Sequence, residues 1–124
     1  MSDTYHSICR DEQMTAGQPR AEILNGWPIM ICRTEQGINA VINRCTHAAS
    51  ELASGRVRRG IVLCPLHGAR FDLSTGKCLP PNAHYQPLKR FPVRVVDGVV
   101  EVGVPDEKPG LEHLPVRAQS GEAG

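Results

Sequence analysis

The sequence predicts an all-β protein, and three observations carry that expectation. Its 12 glycines and 10 prolines are spread along the chain, as in folds of short strands joined by tight turns. Asn25-Gly26 and Asp97-Gly98 are flanked by apolar runs, and both residues of such pairs tolerate the positive φ of a two-residue hairpin. No stretch of ten or more residues carries an apolar stripe of helical period; Arg10–Met14 has room for one helical turn.

The strands follow in order. Ala21–Leu24 and Trp27–Cys32 flank the first hairpin pair. Gly37 closes the next turn, after which Ile38, Ala40 and Ile42 alternate with Asn39, Val41 and Asn43. Further on, Phe91, Val93 and Val95 alternate with Arg90, Pro92 and Arg94. Beyond Asp97-Gly98, Val100, Val102 and Val104 alternate with Val99, Glu101 and Gly103. The middle of the chain, about 44–82, breaks this pattern with short apolar pieces, Ile61–Leu63 and Phe71–Leu73, set among glycines and prolines. It reads as a subdomain inserted between strands of a main antiparallel, sandwich-like base. From Pro105 onward the strand pattern ends, so residues 105–124 read as a tail, mobile or laid over the surface. Residues 1–104 then form the domain.

Bulk properties narrow the function. At 124 residues there is room for one domain able to fold without disulfides. A formal charge of +1 gives no general attraction to nucleic acid or anionic lipid. No leader-like pattern and no run of 18 apolar residues is present, so a soluble cytoplasmic protein is expected. The five cysteines are an odd number, which favours metal binding over a disulfide framework.

Two short motifs concentrate the metal-binding chemistry: Cys45-Thr46-His47 and Cys64-Pro65-Leu66-His67. Each brings one thiolate and one imidazole from what reads as a tight loop, where residues two or three apart can aim at one point. The same residue types build structural Cys₂His₂ zinc sites, although those usually pair like with like, C-x₂₋₄-C then H-x₃₋₅-H. A zinc-stabilised interaction module is therefore the rival reading from a different functional class. No nucleophile elbow, P-loop, dinucleotide fingerprint or zinc-protease motif occurs.

The pattern C-x-H then C-x-x-H resembles the Rieske iron–sulfur family, in which two cysteines bind one iron of a [2Fe–2S] cluster and two histidines the other. The likeness extends over Arg44–Ser50, Leu63–Gly76 and Pro80-Pro81, which resemble the family's two cluster loops and its covering proline loop. With the flanking strands it takes in about 100 residues. It implies a Rieske-type fold and one [2Fe–2S] cluster. Cys45 and Cys64 would hold the inner iron, His47 and His67 the outer. With only two thiolates the cluster is close to neutral, which eases addition of an electron.

Within that family the chain is similar to the stand-alone ferredoxins of bacterial multicomponent aromatic-ring-hydroxylating dioxygenases. This implies a one-electron carrier and no enzyme. It would take electrons from an NAD(P)H-dependent flavin reductase and pass them to a terminal Rieske oxygenase, with no nucleic acid or membrane partner. Docking is expected at His47 and His67, framed by Ala48, Leu66, Pro80 and Pro81. A small Rieske-like subunit of another reductase, such as nitrite reductase, is the alternative.

The respiratory branch of the family carries a disulfide across its cluster loops; here Ser50 and Leu66 stand in those places. It also has hydroxyl donors to the cluster sulfurs where this chain has Ala69 and Phe71. Their loss implies a potential toward the low end of the Rieske range of about −150 to +300 mV.

The remaining candidates read as structural. Cys9 and Cys32 fit small buried hydrophobes, and Cys78 a thiol beside the Thr75-Gly76 turn. His6, His84 and His113 lack partners at ligand spacing and fit surface or capping positions. Arg56, Arg58 and Arg59 form either a solvated face or a basic patch toward an acidic partner.

Overall fold

The computed structural model describes residues 3–45, 51–65, 68–80 and 86–114. Ten strands and two 3-10 turns make up its regular structure. They are β1 (Asp3–Arg10), β2 (Arg20–Leu24), β3 (Trp27–Thr34), β4 (Gly37–Ile42), β5 (Arg56–Arg58), β6 (Ile61–Leu63), β7 (Arg70–Asp72), β8 (Arg90–Phe91), β9 (Val93–Val96) and β10 (Val99–Pro105), with turns at Asp11–Gln13 and Leu111–His113. The strands form three sheets, in the orders β1-β10-β9, β2-β3-β4-β8 and β5-β6-β7. Every strand pairing is antiparallel.

The all-β expectation holds, and both hairpin pairs do what their chemistry requires. Asn25 and Gly26 sit at φ 50° and 85°, Asp97 and Gly98 at 52° and 78°. They join β2 to β3 and β9 to β10. The helical turn expected within Arg10–Met14 falls at Asp11–Gln13, where the Gln13 side chain accepts the Arg10 N–H at 2.8 Å.

Two elements differ from their sequence pattern. The alternation Phe91-Val93-Val95 predicts one strand, but the chain divides at Pro92. Proline cannot donate to a ladder. Phe91 pairs with Ala40 in the four-stranded sheet, whereas Val93–Val96 pairs with β10. Val95 and Val96 are exposed in consequence. In β4, Val41 is buried along with Ala40 and Ile42, because this part of the sheet is covered on both faces. β3 is likewise buried throughout Trp27–Cys32, so its apolar residues run continuously rather than alternating.

One buried cluster joins all three sheets. It holds Val100, Val102 and Val104 from the first, Ile29, Ile31 and Val41 from the second, and Val62 and Phe71 from the third. The third sheet lies in the sequence between β4 and β8, which are themselves neighbours. The whole 44–82 region thus leaves and re-enters one sheet.

The start of the tail, up to Leu114, is laid over the surface. The Asn25 amide donates to the carbonyls of Pro105 and Asp106 at 3.0 and 2.9 Å, and the Trp27 indole N–H to that of Glu107 at 2.9 Å. The His113 ring lies 5.0 Å from that of Trp27. Residues 115–124 lie outside the described residues.

Candidate metal centre

Each expected ligand loop begins where a strand runs out. After β4, the Asn43 N–H donates to the Pro28 carbonyl at 2.9 Å, and Cys45 follows two residues later. Asn43 is polar yet buried, and its Oδ1 accepts the Ala53 N–H at 2.8 Å. That bond ties together the two ends of the loop that contains residues 46–50. The Arg44 Nε donates to the Leu114 carbonyl at 3.2 Å, so the strap meets the chain next to Cys45. No local signal marks Asn43 for this role, since an Asn ending an alternating strand reads simply as a turn residue.

Cys64 follows β6 directly. Its N–H donates to the Ala69 carbonyl at 2.7 Å, and its own carbonyl accepts the Gly68 N–H at 3.1 Å. Gly68 has φ 75°, a left-handed turn that glycine adopts without a Cβ clash. These bonds close a tight loop over 64–69.

Cys45 and Cys64 are 0% and 1% exposed and share the buried cluster with Leu52, Ala69 and Phe71. The structure thus brings both expected cysteines out of contact with water from two different loops. Among the framing residues, Pro80 is exposed and its carbonyl accepts a hydrogen bond from Arg70. His47 and His67 lie outside the described residues, as do Ala48, Ser50, Leu66, Pro81 and His84. Among the described residues no group of three or more His, Cys, Asp or Glu side chains could hold a metal ion.

The other thiols occupy structural positions. Burial pushes the Cys32 thiol up, only partly offset by a backbone hydrogen bond involving Gly17, so it stays neutral as a small core residue. Cys9 is half-buried and packs against the core. Cys78 is buried beside Phe71, which it opposes in an isolated bridge. His6 is half-buried, and among the described residues its Nε2 has no hydrogen-bond partner.

Over residues 4–92 the chain matches the family described as the Rieske [2Fe-2S] domain. It belongs to that family. The anthranilate 1,2-dioxygenase ferredoxin subunit of Burkholderia cepacia is 34% identical over 102 residues, 81% of this chain and 92% of its own length. Among solved structures, the ferredoxin of carbazole 1,9a-dioxygenase from Nocardioides aromaticivorans IC177 superposes with a TM-score of 0.74 at 28% identity, covering 80% of this chain and 96% of that one. A chain from the complex of reduced oxygenase and oxidized ferredoxin in carbazole 1,9a-dioxygenase gives 0.72 at 28% identity, covering 78% and 99%.

A Rieske domain carries a [2Fe–2S] cluster, and the described residues fit one. Two thiols, the donors that iron–sulfur clusters take, are both buried in the core and come from separate loops. The buried residue between the Gly68 turn and β7 is Ala69, whose side chain is a single methyl. Family membership also sets aside the zinc-module reading.

Proposed function

We propose that the chain is a one-electron carrier of a multicomponent aromatic-ring-hydroxylating dioxygenase, with its cluster held by Cys45, His47, Cys64 and His67. Its electrons come from an NAD(P)H-dependent flavin reductase and go to the terminal oxygenase; alone it turns over no organic substrate. The observation carrying this reading is the likeness to a dioxygenase ferredoxin subunit over 92% of that subunit's length. The complex of oxygenase with ferredoxin among the structural neighbours supports the oxygenase as partner. We assign residues 1–104 to the Rieske domain, with its cluster-binding part at about 44–82, and 105–124 to a tail.

When bound, a Cys₂His₂ [2Fe–2S] cluster supplies a one-electron couple at a higher potential than its all-cysteine counterpart. The chain's own residues set the conditions for it. Cys45 and Cys64 present their sulfurs on the buried side, so water is kept from them. The Asn43–Ala53 and Cys64–Ala69 hydrogen bonds fix the ends of the two loops. His47 and His67 would be the outer ligands, and an imidazole edge would give an electron a way out. Ala69 and Phe71 are buried and bring no hydroxyl donor. No helix among the described residues is long and apolar enough to cross a membrane.

The test is stopped-flow kinetics with purified holoprotein. A flavin ferredoxin reductase with NADH should bleach its visible absorption, and a Rieske oxygenase should restore it. If a dioxygenase system turns over just as fast without the protein, the assignment is wrong.

A further inference from the structure

The β5-β6-β7 sheet has one buried face and one open one. Val62 and Phe71 point into the core, so their neighbours along each strand point outward. Arg56 lies opposite Leu63 and Leu63 opposite Arg70, while Arg58 lies opposite Ile61. Residues directly opposite share a face. With Arg59 from the connecting turn, these side chains line a hollow of about 490 Å³. Leu63 is 37% exposed at its centre.

Among the described residues, the charge on this face is not neutralised. Arg10, Arg20, Arg33 and Arg94 pair with Glu12, Glu22, Asp11 and Glu101. Among the described residues, no carboxylate forms an ion pair with Arg56, Arg58, Arg59 or Arg70. Asp72, opposite Ile61 in the ladder, is turned to Ser74 instead. Arg59 moreover sits at φ 52°, a left-handed position that Asn25 and Asp97 fill in the β2–β3 and β9–β10 hairpins and that suits a long side chain poorly. Protection of a sheet edge explains arginine on β5. It does not explain the exposed Leu63 and the half-buried Ile61 beside it on the central strand. An apolar centre inside a ring of arginines is instead the anatomy of a small protein interface.

The face also borders the second ligand loop, because Leu63 immediately precedes Cys64 and Arg70 follows Ala69. We propose that it docks a carboxylate-rich protein surface bearing an apolar or aromatic centre, and that this surface belongs to a redox partner. The last clause rests on the electron-carrier reading; the acidic chemistry of the partner does not. Such a surface is drawn in by long-range attraction that salt screens.

The test uses holoprotein and fluorescent polymers as probes: a glutamate–tyrosine copolymer, polyglutamate and a single-stranded oligonucleotide. Wild type should bind the copolymer more tightly than polyglutamate, and only at low salt. Arg56→Glu with Arg58→Glu should weaken binding on the order of tenfold or more. Leu63→Ser should remove the copolymer's advantage. Arg10→Glu with Lys108→Glu, an equal charge change elsewhere, should leave binding intact.

Loss of binding in that control, or an oligonucleotide bound as tightly with the same arginine dependence, would overturn the proposal. So would a red-brown protein that binds no copolymer. A colourless preparation that binds with the expected dependence would support a docking face for an acidic partner while refuting the redox reading.

Discussion

The N–H of Cys64 donates to the carbonyl of Ala69 at 2.7 Å, so the chain that leaves β6 at Cys64 is tied to its return into β7. The closure depends on Gly68 taking φ 75°. Among the described residues, chain neighbours aside, no atom lies within 4 Å of where a Cβ would stand, so what alanine meets there is conformational strain. Gly68→Ala should cost about 1–2 kcal/mol. It should speed loss of visible absorption when the holoprotein is challenged with an iron chelator. Unchanged bleaching would mean that the turn does not govern how the second ligand loop is held.

The hydroxyl-free surroundings at Ala69 and Phe71 make a claim about potential. Hydrogen bonds to cluster sulfurs favour the reduced state's extra negative charge. A redox titration should place the midpoint in the lower part of the Rieske range, below about 0 mV. A clearly positive value would contradict this. Ala69→Ser, if its hydroxyl reaches a sulfur, should shift the midpoint upward.

The strap beyond β10 is expected to be part of the folded unit. Removing residues 106–124 deletes the acceptors for one Asn25 bond, the Trp27 indole and Arg44. At roughly 1 kcal/mol for each hydrogen bond, about 2–3 kcal/mol of stability should go. Urea unfolding followed by Trp27 fluorescence reads this with one probe, since the chain has a single tryptophan. Trp27→Phe, followed by circular dichroism, should lose about 1 kcal/mol from the indole bond, plus its share of lost packing. A truncated chain with the wild-type midpoint would show the strap to be ornamental.

Asp72 gives the pH dependence a sign. Its carboxylate accepts the Ser74 hydroxyl at 2.7 Å and the Ser74 N–H at 2.8 Å. The Ser74 hydroxyl leads in holding the carboxyl below its usual range; burial opposes this, and backbone bonds with Ser74 and Thr75 and the Arg90 charge assist. A carboxyl depressed in the folded state stabilises the fold above the unfolded value of about 3.9. That stabilisation disappears as pH falls through the lower folded value. Ser74→Ala should therefore be less stable than wild type near neutrality, and the gap in melting temperature should narrow toward pH 3. A gap that widens in acid would reverse the sign.

The fold is legible in the sequence wherever local chemistry decides it. Asn25-Gly26 and Asp97-Gly98 carry the positive φ that their residue types tolerate. The Arg59-Gly60 hairpin has the same geometry, with φ 52° and 77°, yet an arginine at its first position leaves that turn unmarked. The division of the strand is signalled by Pro92 itself. Which sheet each half joins depends on pairings with Ala40 and Val100 that no local pattern contains. Cys45 and Cys64 stand out because their spacing to a histidine is chemistry written into the chain. The burial of both thiols and the Asn43–Ala53 tie arise only from tertiary packing.

Iron and acid-labile sulfide analysis, with visible spectra, of anaerobically prepared wild type and its alanine variants at 45, 47, 64 and 67 tests the central claim most directly. Wild type should hold the two irons and two sulfides of a [2Fe–2S] protein and be red-brown. Each of the four variants should lose that content, while Cys32→Ala and Cys78→Ala keep it. A wild type without iron or sulfide, or a full cluster in any of the four variants, would contradict the ligand set proposed for this chain.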